Sequence, residues 1–223
     1  MRIVSLQSGP VRQYGVEGAE DPLERPWTSA IVKEAVSGPV WLGHEGLAGD
    51  SQADRRHHGG RDKALLGYGA GHYPAWRVEL AEPDLAPGAF GENLAIEGAT
   101  EHTVCVGDVF SLGEARVEVS QPRQPCQTLA RRFRRRDMVR RVLERHAFGW
   151  YFRVLREGWL REGMRFVLED RPWPQWTVRE VERVMRRRRA EPEAALRLAR
   201  CEALPEDWRT TLEAVGAAAP PAS

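Results

Sequence analysis

Up to residue 170, glycine and proline cut the chain into short β-prone runs, and this punctuation limits the fold more than any other feature. Arg2 to Gln7 and Val11 to Tyr14 are parted by Gly9-Pro10, Pro39 to Leu42 lies between Gly38 and Gly43, and Ala64 to Tyr68 reads as a buried strand. Val104 to Phe110 and Ala115 to Val119 are joined through Ser111-Leu112-Gly113-Glu114 as a hairpin. In the second of these, Ala115, Val117 and Val119 alternate with charges, which predicts one buried face. Trp150 to Leu155 and Met164 to Leu168 return as a pair of strands. Helical spacing is confined to His72, Tyr73, Trp76 and Leu80, to Leu129 and Phe133, and to Met138, Val139, Val142 and Leu143 behind a capping Asp137. Many short strands with few helices predict a mainly β chain with some α, folded as a closed or partly closed β-barrel over residues 1–170.

The composition changes at Arg171, where RPWPQW forms a proline-punctuated linker. Thr177-Val178-Arg179-Glu180 is a capping box, Pro192 can open a second helix, and Pro205-Glu206-Asp207 precedes a third. Residues 171–216 are therefore expected to form a small three-helix segment, with a disordered tail at 217–223. The acidic, proline-bearing Glu17 to Pro26 lacks periodicity and reads as a mobile loop.

No apolar run approaches the ~20 residues that span a bilayer, and the first residues lack signal-peptide character, so a cytoplasmic protein with no membrane partner is expected. Cys105, Cys126 and Cys201 are odd in number and far apart, which argues against a disulfide framework or a metal knuckle. A formal charge of +1 gives no global pull on nucleic acid. The arginine runs at Arg131 to Arg136 and Arg186 to Arg189 read as solvated helix faces, and no nucleic acid is expected as a specific partner. Only Lys33 and Lys63 among the 33 basic residues are lysines, so a compact ammonium at those places invites a reason.

Three stretches could carry chemistry. In SQPRQPCQTLARRF a strand gives way to a helix at Cys126, where the helix N-terminus and Arg123 would favour a thiolate. Such a sulfur is a nucleophile or a soft metal ligand; a small core residue starting the helix is the plainer reading. In Asp50-Ser51-Gln52-Ala53-Asp54 followed by His57-His58-Gly59-Gly60-Arg61-Asp62-Lys63, the glycines and Lys63 could receive a phosphate, or the stretch could be a hydrogen-bonded turn. In FGENL, Asn93 could read the edge of a heterocycle or satisfy its own turn.

Taken together, GDSQADRRHHGGRDKAL, FGENL and VSQPRQPCQTL resemble the MOSC domain, particularly the stand-alone YiiM group of 6-hydroxylaminopurine-resistance proteins. The resemblance begins at WTSAIVK, Trp27 to Lys33, runs through Phe166 and extends into the three-helix segment. It implies a MOSC-type barrel and an enzyme using the molybdenum cofactor (molybdopterin), with Cys126 as the protein ligand to molybdenum. It implies reduction of small N-hydroxylated bases to amines, with electrons from a separate reductase. His58 and Lys33 would serve protonation and positioning beside Cys126; Arg123, Asn93, Gly59, Gly60 and Lys63 would bind the cofactor. A monomer or homodimer is expected. The alternative reading makes Cys126 a persulfide carrier in cofactor or metal-sulfur biosynthesis, fed by a separate sulfur donor.

Overall fold

A computed structural model describes residues 1–54 and 59–217. Eight strands form one mixed sheet in the order β13-β9-β10-β11-β7-β8-β1-β4. These are β1 (Arg2–Ser8), β4 (Glu34–Ala35), β7 (Leu65–Gly69), β8 (Leu94–Glu97), β9 (Val109–Leu112), β10 (Ala115–Pro122), β11 (Trp150–Arg156) and β13 (Val167–Asp170). All neighbours are antiparallel except β7 and β8, whose parallel pairing is bridged by the helix α1 (Tyr73–Leu80). The sheet curls into a half-barrel. The lead-in to β13 comes round to β1: Ile3 donates to the Met164 carbonyl at 2.9 Å and Gly163 donates back to Ile3 at 2.9 Å.

Alternation explains which faces are inside. Along β10, Ala115, Val117 and Val119 are buried while Arg116 and Glu118 between them are half-exposed, as the period of two predicts. With Ile3, Leu65, Leu94, Ile96, Phe110 and Phe152 they fill the barrel. On α1 the buried residues are Tyr73, Trp76 and Leu80; the Trp76 indole donates to the Tyr68 hydroxyl at 2.6 Å, and both rings pack against Phe90.

Two smaller sheets lie beside the barrel. One pairs β5 (Val40–Gly43) with β12 (Gly158–Leu160) and β6 (Gly46–Leu47); the other is the hairpin of β2 (Arg12–Tyr14) and β3 (Trp27–Ser29). The acidic stretch Glu17 to Pro26 connects the latter two strands. It leans on the arginine-rich segment, with Asp21 paired to Arg136 at 3.0 Å and Glu24 to Arg134 at 3.8 Å.

Three expectations are corrected. Residues 104–108 form a turn, not the first half of a strand: Gly107 has φ +88°, and the Asp108 carboxylate accepts the Cys105 amide at 2.9 Å. β11 and the strand near Leu168 are not partners, since β11 lies between β10 and β7 while β13 adds to β9. Asp137 starts the helix α3 (Met138–Glu144) without capping it, because its carboxylate goes to Arg141 at 2.7 Å.

Beyond the barrel come α4 (Val178–Arg187), α5 (Pro192–Ala199) and α6 (Glu206–Ala217). Thr177 caps α4, its hydroxyl accepting the Glu180 amide at 3.2 Å. This segment is fastened to the barrel. Arg171 grips the fully buried Asp108 with two bonds of 2.7 Å, and Val178 donates to the Val104 carbonyl at 2.9 Å. No helix among the described residues is long and apolar enough to cross a membrane.

Candidate functional site

At Pro122 the backbone leaves the sheet, and after Arg123 and three further residues it enters the short helix α2 (Gln127–Phe133). Cys126 is the residue immediately before that helix, in extended conformation (φ −125°, ψ 172°). The apolar side of α2 explains its course: Leu129, Ala130 and Phe133 are buried against the barrel, which turns the start of the helix toward the hairpin β2–β3. Between them lies a cavity of 280 Å³. Its wall includes Cys126 and Thr128, Thr28 to Ile31 at the end of β3, Lys33, Asp50, Lys63, Asn93, Arg123 and Tyr151. A shallower groove of 610 Å³ adjoins it, sharing Asp50, Ser51 and Gln52 and reaching Trp41.

The sequence-derived candidates divide as follows. Cys126, Lys33, Arg123, Asn93 and Lys63 line this one cavity although their sequence positions span 93 residues from Lys33 to Cys126. Gly59 and Gly60 stand just before the short turn Arg61–Lys63 and outside the cavity lining; Gly60 has φ +92°. His58 lies outside the described residues.

Arg123 is a buried charge in this wall. It is 6% exposed, yet its side chain has no ion pair or hydrogen bond among the described residues, and Nη1 is buried without a partner. Its backbone amide donates to the Gly149 carbonyl at 3.0 Å, which fixes where the side chain emerges. A buried guanidinium without a counter-ion costs stability unless an anion meets it.

Lys33 is paired with Asp50, the side chains being 7% and 2% exposed. Burial pushes the Lys33 ammonium below the usual lysine range, and the Asp50 carboxylate pulls it back. Asn93 belongs to the scaffold: it donates to Asp50 Oδ2 at 2.8 Å and to the Gln7 carbonyl at 3.3 Å, and accepts the Leu66 amide at 3.0 Å. What it retains for a ligand is the second lone pair of its carbonyl oxygen. Its neighbour Glu92 is fully buried and accepts from Tyr73, from the Gly88 amide at 2.8 Å and from the Phe90 amide at 3.2 Å.

The other thiols lack access. Cys105 is 2% exposed and leans on the Pro174 carbonyl, and burial in the helical segment pushes Cys201 up to about 11. Asp50 opens the stretch to Lys63 that the sequence marks as able to carry chemistry, but no role of its own is legible there, and Tyr151 carries no signal of a site residue. Tyr151 is read from the sequence as one more strand residue, and burial holds its hydroxyl above the usual tyrosine range.

What could this cavity hold? Among the described residues no cluster of three or more histidines, cysteines, aspartates or glutamates is arranged to hold a bare ion. A single soft sulfur in one wall with Lys63 and with a guanidinium that has no ion pair among the described residues fits instead a metal that arrives with its own ligands and an anionic group attached. A pterin-bound molybdenum with a phosphate has that description, so the residues present fit it.

Over residues 54–167 the chain matches the MOSC domain, and over residues 176–214 the YiiM-like 3-alpha helix domain. It is 43% identical over 183 residues to the uncharacterised protein YflK of Bacillus subtilis, across 82% of each chain. It is 40% identical to a protein of Gibberella moniliformis named reductase, over 80% of this chain and 32% of the other, so it spans about a third of the fungal protein's length. The crystal structure of YiiM from Geobacillus stearothermophilus matches with a TM-score of 0.79 at 32% identity, over 96% of this chain and 98% of that one.

Proposed function

The chain belongs to the MOSC-domain family and carries the YiiM-like three-helix domain after its barrel; from that premise we propose that it is a molybdenum-cofactor-dependent oxidoreductase that reduces N-hydroxylated bases to amines. The observation that carries this reading is one cavity that joins the Cys126 sulfur to a buried guanidinium with no hydrogen bond or ion pair among the described residues. The oxidoreductase class also draws support from the fungal relative named reductase.

Cys126 would be the protein ligand to molybdenum, and Arg123 and Lys63 would receive the cofactor's phosphate or other anionic oxygens. Gly59 and Gly60, next in sequence, would let the backbone approach that group. The bound cofactor supplies the electron pair that cleaves the N–O bond. Converting R–NHOH to R–NH2 and water consumes two electrons and two protons, so the wall must deliver protons where the oxygen departs. Lys33 Nζ would hold that oxygen by a hydrogen bond, and His58 would be the proton donor. Asn93 would act at one remove, by fixing Asp50. A separate reductase would return electrons to the metal.

The test is Cys126→Ser, made in a host that assembles the cofactor. The native protein should carry molybdenum in proportion to chain and reduce 6-hydroxylaminopurine. The variant should keep its circular dichroism spectrum and lose both properties. A fully active variant sinks the assignment, and native protein carrying a labile sulfane sulfur without metal would favour the sulfur-carrier reading.

A further inference from the structure

Lys33 lies between β3 and β4 in a stretch with no strand pairing of its own, yet its ammonium group is almost sealed from water. Asp50 is its hydrogen-bond partner. This carboxylate is held on every side: Oδ1 also accepts the Gly9 amide at 3.0 Å, and Oδ2 accepts Asn93 Nδ2 at 2.8 Å. Asn93 is locked in turn to Gln7 on β1 and to Leu66 on β7. The chain of bonds therefore runs from the lysine to the rigid barrel, and not back into the lysine's own loop.

We propose that Asp50 is the positioning residue for the cavity lysine, anchoring the Lys33 ammonium to the barrel through Asn93 and presenting it in the same wall as Cys126. The proposal rests on the reading of Lys33 as a working group of the cavity, though its test needs no cofactor. Its physical content is a division of labour between two cations. Arg123 brings a charge with no ion pair among the described residues, whereas Lys33 with Asp50 brings directed N–H bonds and little net charge. Removing the carboxylate would leave the ammonium buried in a lining that also carries Arg123, Lys63 and Asp54, with Glu92 the other acid acting on it. Burial favours the neutral amine there.

Lys33 and Lys63 are the chain's two lysines, so protein grown on lysine labelled with 13C and 15N gives two side-chain signals, assigned with Lys33→Met. In the metal-free full chain, Asp50→Asn should lower the titration midpoint of Lys33 by about 1 to 3 pH units, a 10- to 1,000-fold change in its acid constant, and leave Lys63 in place. Asp50→Glu should restore most of the loss. A Lys33 midpoint that stays within a few tenths of a pH unit in a folded Asp50→Asn protein overturns the proposal. Should that variant fail to fold, the native protein decides. Ammonium hydrogens held on a carboxylate away from water exchange slowly enough to be seen for Lys33 near neutral pH, and their loss into the water signal overturns it equally. The functional reading fails separately: normal Lys33 behaviour in a cofactor-loaded protein that reduces no hydroxylaminopurine keeps the positioning role and removes the substrate.

Discussion

Replacing Arg123 by methionine should make the cofactor-free protein more resistant to heat. The guanidinium is 6% exposed, has no ion pair among the described residues, and leaves Nη1 buried without a partner. An unsatisfied buried donor costs about 1–3 kcal/mol, and apolar replacements of buried charged groups gain a similar amount. Methionine follows the arginine stem and leaves the main-chain bond to Gly149 intact. For 223 residues the entropy of unfolding is about 0.47 kcal/mol per kelvin, so the gain corresponds to a Tm raised by about 2–6 °C. Calorimetry on metal-free native and variant proteins measures it. In protein from a cofactor-competent host, the same substitution should lower the molybdenum content per chain several-fold. A metal-free variant that melts several degrees below the native protein refutes the reasoning, because the guanidinium would then be satisfied by the protein itself.

Gly149→Ala forces a side chain into the left-handed region at φ +79° and brings Cβ within 2.5 Å of the Gly67 carbonyl oxygen. It should cost about 2–5 kcal/mol, or about 4–10 °C in Tm, and a loss below 1 °C would refute the contact. His146 is held below its usual range by burial and by Arg179, so the unfolded chain takes up this proton first as pH falls. His146 therefore removes stability from about pH 6.5 downward until its own folded midpoint is passed, and His146→Asn, which tolerates φ +53°, should flatten the fall in Tm between pH 7 and 5. An unchanged slope would remove His146 from the account. The double variant Arg134→Gln, Arg136→Gln frees the acidic connection, and a glutamate-specific protease should cut after Glu20 several-fold faster. Tm should move by less than about 4 °C, since the two exposed pairs are worth ~0–1 kcal/mol each. Equal cutting rates would show that the connection is held by something else.

Period and punctuation were enough to expose the barrel strands β1, β7, β10 and β11, because each is an apolar run or alternation bounded by turn residues. They were not enough at 104–108, where the apolar pattern continues but Gly107-Asp108 is turn chemistry, completed by the grip of Arg171 on the buried Asp108. Nor could they pair β11 correctly. The chain leaves β11 for β12, which joins β5 in another sheet, and that detour depends on tertiary neighbours. At the cavity, Cys126 stood out through the strand-to-helix switch and Lys33 through the rarity of lysine. Asp50 did not, since an acid in a glycine-bearing loop looks the same whether it faces water or a buried ammonium. The partnership of Asn93 with that acid joins residues 43 apart in sequence and is invisible to any local rule.

The junction of β1 with residues 163–166 sets a timetable for the nascent chain. β1 meets β8 along one edge and, at Gln7 and Ser8, β4 along the other, but the rest of that second edge, from Met1 to Ile3, is covered only when the stretch from Gly163 to Phe166 has followed, so the cylinder cannot shut during most of its synthesis. Pairings at such sequence separation form late and slowly. At ~5–20 residues per second the uncovered end of β1 waits on the order of ten seconds or more, an interval in which a chaperone would meet an unfinished wall.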